Sequence, residues 1–131
     1  MFDIKPADAS PIWRQIEEGM LRMIALGRLR PGDPVPSARD MAKNLRVNPN
    51  TVARAYQRLA DRGVFVVRRG EGTFVADEPP QPKRSERNKK LREAAIRYAG
   101  TAIALGAAPD DAIEELEKAF QKLVREQRRR S

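Results

Sequence analysis

The stretch that most constrains the fold is one amphipathic segment in the middle of the chain, residues 47–63 (VNPNTVARAYQRLADRG). Asn48 is a residue type that caps helix N-termini, Pro49 suits the first helical turn, and Gly63 fits the left-handed position that follows a helix. These signals predict a helix of about three to four turns. Its apolar positions recur at three- and four-residue spacings and are Val52, Ala55, Tyr56 and Leu59. One side of the helix therefore packs, and the other side is free to contact a polar partner.

The free side carries amides, a hydroxyl and guanidinium groups close to the helix start, on Asn50, Thr51, Arg54 and Arg58. Base edges present hydrogen-bond donors and acceptors, while phosphates attract cations and helix N-termini. The pattern is therefore typical of a helix that reads the major groove of DNA. An ordinary solvated amphipathic helix explains this one segment equally well. Only the neighbouring segments can distinguish it from a DNA-reading helix.

Charge favours a polyanionic partner. The 131 residues include 26 Lys+Arg and 18 Asp+Glu, a net charge of +8, and the sequence pI is about 10.4. Residues 1–77 and residues 78–131 each contain 13 basic and 9 acidic groups, so the excess charge is not confined to a tail. A basic protein of this size is suited to nucleic acid, although many solvated surfaces are also basic.

The absence of Cys and His excludes most familiar catalytic and metal sites. Thiol nucleophiles, disulfides, zinc fingers and histidine bases are all removed, so we expect no enzyme activity, no cofactor and no metal. The N-terminus lacks the apolar core of a signal peptide, and no apolar run approaches the ~18 residues that span a bilayer. We therefore expect a cytoplasmic protein with no membrane partner.

Residues 1–27 predict a short arm followed by a helix. Phe2 and Ile4 are available to pack on that helix, which we expect to begin with Ser10 as the cap and Pro11 in the first position. The helix has a broad apolar face. We interpret Trp13 on that face as the single buried aromatic anchor of a small core.

The segments on either side of residues 47–63 complete a recognisable motif. Ser37, with Asp40 three residues later, predicts the start of a short helix, and a turn of about four residues then leads to Asn48, which is a helix-turn-helix pattern. Downstream, VFVV and TFVA flank a glycine-containing turn and predict a β-hairpin. The sequence thus predicts a mostly α fold with a small β-wing.

Three cationic side chains are exposed in this arrangement. Arg39 lies near the start of the short helix, and Arg68 and Arg69 lie at the hairpin tip, where all three can reach the backbone of a docked duplex. Plainer explanations stay open, since Arg39 can be a solvated charge and the tip arginines can protect a strand edge.

The motifs RLRPGDPVPSARDMA, VNPNTVARAYQRL and RRGEGTFV, in this order and spacing, closely resemble the DNA-binding domain of the GntR family of bacterial transcriptional regulators. The resemblance covers about residues 9–77 and implies a winged helix-turn-helix that binds DNA. It implies contacts from the Arg39 position, from the start of the recognition helix and from the glycine-rich wing. Some relatives carry Arg where this chain has Pro49 and Ala53, so base contacts at those two positions do not carry over.

Our candidate DNA-binding residues combine the resemblance with the exposed polar positions. Four of them are expected to read bases: Asn48, Asn50, Thr51 and Arg54. The others are expected mainly to position the duplex: Ser37, Arg39, Tyr56, Arg68, Arg69, Gly70, Gly72 and Thr73.

Beyond the hairpin, residues 78–86 are rich in Pro and charge and are interpreted as a linker, and residues 87–131 predict two helices. The first of these helices has two apolar stripes: Leu91, Ala95, Tyr98, Ala102 and Leu105, and Ile96, Ala99 and Ile103. The second helix begins at Pro109, ends in Arg125 and Arg128 to Arg130, and has an apolar face that includes Ile113, Leu116 and Phe120. One stripe is expected to pack on the second helix of the same chain and the other on a second copy, because a lone helical pair buries too little apolar surface.

We therefore predict a winged helix-turn-helix followed by a two-helix dimerisation domain. The short tail resembles the YtrA-type branch of the GntR family, whose members commonly act as repressors. The leading hypothesis is a homodimeric repressor that binds an inverted-repeat operator, with an unknown small-molecule effector as an open possibility. Two alternatives remain, a sequence-independent architectural DNA binder and a winged helix that binds other proteins.

Overall fold

Two separate units make up the chain. The computed structural model describes residues 2–130, with side chains described to residue 126, and the boundary between the units falls between Pro80 and Gln81. The first unit contains α1 (Ile12–Ala25), α2 (Ala38–Leu45), α3 (Pro49–Asp61), β1 (Phe65–Arg68) and β2 (Gly72–Val75), and the second contains α4 (Arg84–Ala104) and α5 (Pro109–Arg130). This architecture confirms the predicted mostly α fold with a small β-wing. No helix in residues 2–130 has the length and apolar character needed to cross a membrane.

The predicted start signals of α2 and α3 are confirmed. The Ser37 hydroxyl accepts a hydrogen bond from the Asp40 amide at 3.1 Å, and the Asn48 side-chain oxygen accepts one from the Asn50 amide at 2.8 Å. These bonds satisfy backbone N–H groups that have no partner inside a helix. Gly63 follows α3 at a φ of 78°, a conformation that favours glycine. Both ends of the central helix are therefore set by the residues that predicted them.

The predicted cap of α1 is wrong. The N-cap position is occupied by Pro11, and no side chain caps this helix. The side chain of Gln15 instead reaches back and donates to the carbonyl oxygens of Ser10 and Lys5, each at 2.9 Å. The segment before α1 is thus held through its backbone carbonyls, and the Ser10 hydroxyl has no role in starting the helix.

The turn between α2 and α3 depends on one strained residue. Arg46 has φ 58° and ψ 48° and is the single non-glycine residue at positive φ in the described part of the chain. A left-handed conformation costs an ordinary L-residue roughly 1–2 kcal/mol. A backbone hydrogen bond closes this turn, in which the Val47 amide donates to the Ala42 carbonyl at 3.1 Å.

The core of the first unit lies where α1, α2, α3 and the hairpin meet. Its largest fully buried side chains are Phe65, Ile16, Met20, Met41, Leu59, Val52, Val64 and Val75. The Phe65 ring meets the Tyr56 ring edge-to-face with centroids 5.3 Å apart. Trp13 is not the buried anchor that we predicted, because it is half-buried at the surface and packs against the core from outside. Phe65 takes that central place.

The hairpin is tied to the segment before α2. In its antiparallel register Phe65 pairs with Val75 and Arg68 pairs with Gly72. A further bridge joins Pro34 to Phe74, and the Val35 amide donates to the Thr73 carbonyl at 2.8 Å. The wing is therefore bonded to the segment that leads into α2.

The second unit starts earlier than predicted. The helix α4 begins at Arg84, so residues 84–86 are helical and do not belong to the linker. The Arg87 amide donates to the Lys83 carbonyl, which closes the first turn directly after Pro82. Charged Arg, Glu and Lys residues are good helix formers, so nothing beyond the last proline opposes a helix here.

Within this unit, α4 and α5 meet only near their junction. Tyr98 donates its hydroxyl to the Ala112 carbonyl at 2.6 Å, and Ala102 is half-buried. The prediction that a stripe of α4 packs along α5 of the same chain is wrong, since the other apolar positions of both helices are exposed. Their exposed fractions range from 39% to 80% at Leu91, Ile96, Ile103, Leu105, Ile113, Leu116, Phe120, Leu123 and Val124. The predicted basic end at Arg128 to Arg130 lies outside the described side chains.

Candidate nucleic-acid interface

The candidate interface is built on the exposed side of α3. The buried side holds Val52, Ala55, Tyr56 and Leu59, as the spacing predicted. On the opposite side lie Asn50, Ala53, Arg54 and Gln57, all of them exposed and three or four residues apart. The buried side anchors the helix in the core, so the exposed side is presented as a rigid surface.

The predicted base-reading residues differ in their exposure and in how many of their hydrogen-bonding groups are already used. The Asn48 side chain is exposed, but its oxygen already accepts one hydrogen bond as the cap of α3, which fixes its orientation. Asn50 is exposed, and its side chain makes no hydrogen bond to the side chains described in residues 2–126 or to the backbone of residues 2–130. Thr51 is half-buried at the edge of the surface. Asn50 is therefore the predicted residue best placed to contact a base edge.

Sequence reasoning missed Gln57. This exposed residue lies seven positions after Asn50, on the same side of α3, and its side-chain nitrogen donates to the Asp61 carboxylate at 2.9 Å. An amide side chain offers both a donor and an acceptor, the combination that adenine recognition uses. The helical spacing from Asn50 was the signal that could have found it.

Tyr56 is corrected from a duplex contact to a packing residue. It is only 7% exposed, and its hydroxyl donates to the Pro36 carbonyl at 2.8 Å. Burial also raises the pKa of this hydroxyl well above its usual range. Tyr56 therefore packs in the core and fixes the segment that leads into α2.

The start of α2 adds one exposed cation to the candidate interface. Arg39 is exposed, and no described side chain forms an ion pair with it. Ser37, next to it, is engaged as the cap of α2. An open groove of about 450 Å³ separates this region from α3 and the hairpin, with Ser37, Ala53, Gln57, Glu71 and Thr73 among its lining residues. The concave surface thus joins the three elements that the sequence associated with DNA.

The wing presents its two arginines differently. Arg68 ends β1, and its guanidinium lies over the Phe74 ring at 4.5 Å from the centroid. Arg69 is exposed in the turn itself. Gly70 and Gly72 have φ values of 81° and 117°, with open space where a Cβ would lie, so backbone conformation alone requires glycine there. Both arginines are therefore exposed, and Arg68 alone is held against a ring.

A charged cluster joins α1 to α3 and was not predicted. Glu17 is only 4% exposed, and its carboxylate accepts hydrogen bonds from Arg58 Nε at 3.0 Å and Arg62 Nη1 at 2.6 Å. One turn earlier on α1, the Trp13 ring lies beneath three guanidinium carbons, those of Arg14, Arg54 and Arg58, at 5.6, 5.1 and 4.3 Å from its centroid. The available signal was a carboxylate inside the apolar stripe of α1.

The Glu17 ion pair predicts an acid-sensitive link between the two helices. Burial alone raises the pKa of Glu17, but hydrogen bonds from Arg62 and Arg58 and their positive charges lower it further, so the pKa lies below 4.5. A carboxylate whose pKa is lower in the folded protein stabilises the fold at pH values above its unfolded-state pKa of about 4.5. This stabilisation is lost as the pH falls through the folded-state pKa. Both arginines are partly exposed, so solvent screening limits the stabilisation that their ion pairs with Glu17 contribute.

We expect Glu17→Gln to lower the unfolding free energy by about 1–2 kcal/mol at pH 7 and by much less at pH 3.5. Urea unfolding followed by the fluorescence of the single tryptophan measures both values. Glu18→Gln is the matched control, since Glu18 is exposed and should have little effect at either pH. An equal loss for Glu17→Gln at both pH values would contradict the assignment.

Comparison with known proteins identifies the family to which this chain belongs. Residues 13–75 match the family described as "Bacterial regulatory proteins, gntR family". The transcriptional regulator Rv1152 of Mycobacterium tuberculosis is 34% identical over 106 residues, which are 81% of this chain and 83% of Rv1152. The chain belongs to the GntR family.

Two further relatives of this GntR-family chain carry the YtrA name. The transcriptional repressor YtrA of Bacillus subtilis is 38% identical over 77 residues, which cover 59% of this chain and 59% of YtrA. The structure of YtrA from Sulfolobus acidocaldarius, a GntR-family transcription factor, superposes with a TM-score of 0.54 at 30% identity and covers 92% of this chain and 97% of that one. The predicted YtrA-type assignment is confirmed, although the match spans only about three fifths of the B. subtilis repressor.

Proposed function

We propose that this GntR-family chain is a sequence-specific DNA-binding transcriptional regulator that acts in the cytoplasm as a homodimeric repressor, without enzyme activity. The observation that carries the proposal is the exposed polar side of α3, held by a buried side in the core and flanked by Arg39 and the wing. The repressor name of B. subtilis YtrA supports the direction of regulation. In this proposal residues 9–77 bind DNA and residues 87–131 form the dimer.

We assign the two kinds of DNA contact by side-chain chemistry. Asn50, with Gln57 on the same side of α3, has the donors and acceptors to read base edges. Arg39 and Arg69 are exposed cations outside that side and are suited to phosphates. Arg68 lies over the Phe74 ring but is also exposed, so its N–H groups can join them.

The dimer is supported by apolar surface that one copy leaves uncovered. Phe120 on α5 is 65% exposed, and Ile96 on α4 is 72% exposed. Helices that expose such faces gain stability by covering them. The proposed interface comprises Leu91, Ala95, Ile96, Tyr98, Ala99, Ala102, Ile103, Leu105, Ile113, Leu116 and Phe120. A twofold dimer presents two copies of α3, so its operator should be an inverted repeat.

The test begins with selection of bound duplexes from a random DNA pool at near-physiological salt. We expect an inverted repeat, whose half-site spacing reports the dimer geometry. A flat preference would instead identify an architectural binder, and no duplex affinity would favour a protein-interaction module.

Two variants then separate base reading from phosphate contact. Asn50→Ala should weaken operator binding on the order of 10²-fold, through both half-sites, and leave random DNA unaffected. Arg39→Ala should weaken operator and random DNA alike and reduce the salt slope by about two, one per subunit. Lys43→Ala is the matched control, since Lys43 is an exposed cation near the other end of α2. Equal losses on both duplexes for Asn50→Ala would overturn its assignment.

A further inference from the structure

The contact between Trp13 and Arg54 is not explained by packing or by base reading. The Arg54 guanidinium lies 5.1 Å from the centroid of the Trp13 ring, and Arg58 lies over the same ring at 4.3 Å. Arg58 is also bonded to Glu17, so a carboxylate holds it in place. Among the side chains of residues 2–126, the Arg54 guanidinium forms no hydrogen bond or ion pair, and the Trp13 ring is its one ring contact. The indole thus holds an exposed cation at the edge of the exposed side of α3 that lies nearest to α1.

The chemistry of this contact leaves Arg54 able to bind a second group. A guanidinium over an aromatic ring is attracted through the ring's π-face, and its own N–H groups lie in the guanidinium plane. Those N–H groups form a fork that matches the oxygens of a phosphate. Holding a long side chain in one orientation before binding also reduces the entropy lost on binding. A ring-held arginine is therefore a prepared phosphate donor.

The position of Arg54 also argues for backbone contact. Asn50 and Gln57 share its side of α3, but the Arg54 guanidinium turns toward the first turn of α1 and away from a central position on that side. A cation displaced toward the flank of a groove-reading helix meets the sugar-phosphate backbone that borders the groove. This differs from our sequence-based expectation, in which Arg54 reads a base.

We propose that Arg54 binds a DNA phosphate and that Trp13 is its positioning residue, which holds the guanidinium at the α1 side of the recognition helix. The inference rests on the proposed DNA-binding function. It assigns α1 a part in DNA recognition through a ring that makes no DNA contact itself. Trp13 acts by orienting Arg54. Because Trp13 is uncharged, it adds no charge to the interface.

A double-mutant cycle on the whole 131-residue chain tests this assignment. We measure affinities for the selected operator and for a random duplex, across a range of KCl concentrations, with Trp13→Leu, Arg54→Ala and the double variant. Arg54→Ala should weaken both duplexes by about 30-fold and lower the salt slope by about two, because each subunit loses one phosphate contact. Trp13→Leu should weaken both by about 4- to 25-fold with the slope unchanged, because no charge is removed. The double variant should match Arg54→Ala alone.

Two controls separate positioning from a general effect on the fold. Trp13→Phe keeps an aromatic ring and should bind within a few-fold of the wild-type protein. Trp13→Leu combined with Arg69→Ala should show independent effects, because Arg69 lies in the wing turn and does not contact Trp13. Circular dichroism during urea unfolding confirms that each variant is folded under the binding conditions.

The outcomes distinguish this inference from the proposed function. If the wild-type protein binds no duplex, the proposed function fails. If it binds the operator but the effects of Trp13→Leu and Arg54→Ala are independent, Trp13 does not position Arg54. If Arg54→Ala weakens the operator alone and leaves the salt slope unchanged, Arg54 reads a base and the phosphate assignment is overturned.

Discussion

Replacing Phe120 with glutamate is expected to raise the dissociation constant of the proposed dimer by about 10²- to 10⁴-fold. Burying a phenylalanine side chain contributes about 1.5–3 kcal/mol, and a twofold interface buries two copies, so about 3–6 kcal/mol is lost. Phe120 is 65% exposed in one chain, so the substitution removes little packing from the monomer itself. Light scattering at micromolar concentration should therefore report a folded monomer.

Gln121→Glu is the matched control for this experiment. It introduces the same residue and the same change in charge one position along α5, outside the apolar spacing of Ile113, Leu116 and Phe120. The control should remain a dimer with wild-type affinity. A dimer that persists in Phe120→Glu would remove α5 from the interface, and a monomeric wild-type protein would remove the dimer altogether. Loss of the dimer should also weaken operator binding, since a monomer engages a single half-site.

Phe65→Ala is expected to lower the unfolding free energy of the first unit by about 3–5 kcal/mol, because it removes a fully buried ring and leaves a cavity. Phe65 is 2% exposed, and it joins the hairpin to α3 through its contact with Tyr56. Small domains are commonly stable by only about 5–15 kcal/mol, so this loss is a large fraction of the total. The wing should therefore loosen and DNA affinity should fall.

Urea unfolding followed by tryptophan fluorescence measures this loss, since the single tryptophan lies in the first unit. Val67→Ala is the control on the same strand, because Val67 is 64% exposed and should cost less than about 0.5 kcal/mol. A cost below about 1 kcal/mol for Phe65→Ala would show that the ring is not central to the core.

Local signals were sufficient for the helix-turn-helix and the wing. The apolar spacing of α3, its cap at Asn48 and the glycine after its end are each properties of residues within a few positions of one another. The cap at Ser37 and the glycine-rich turn of the hairpin are local in the same way. Interactions of this range are encoded in adjacent residues, so sequence reasoning could identify them.

Contacts between distant residues were beyond such reasoning. Glu17 meets Arg58 and Arg62 across 41 and 45 positions, and nothing in either segment identifies the other as its partner. The same reason accounts for the surface position of Trp13, the cation that it holds and the burial of the Tyr56 hydroxyl against Pro36. The hydroxyl bond of Tyr56 to Pro36 and the ring contact of Arg54 with Trp13 are both contacts of this long-range kind.

The two tail helices, α4 and α5, show the same limit of reasoning from sequence alone. Periodicity correctly located the apolar positions of α4 and α5, but it did not identify what covers them. Among the described residues, the expected packing within one chain is limited to the region of Tyr98 and Ala102 near the junction of the helices. An apolar stripe is non-directional, since it gains free energy from burial against any apolar surface. Spacing along a chain therefore specifies which face must be buried, whereas the partner depends on how the folded elements are placed in space.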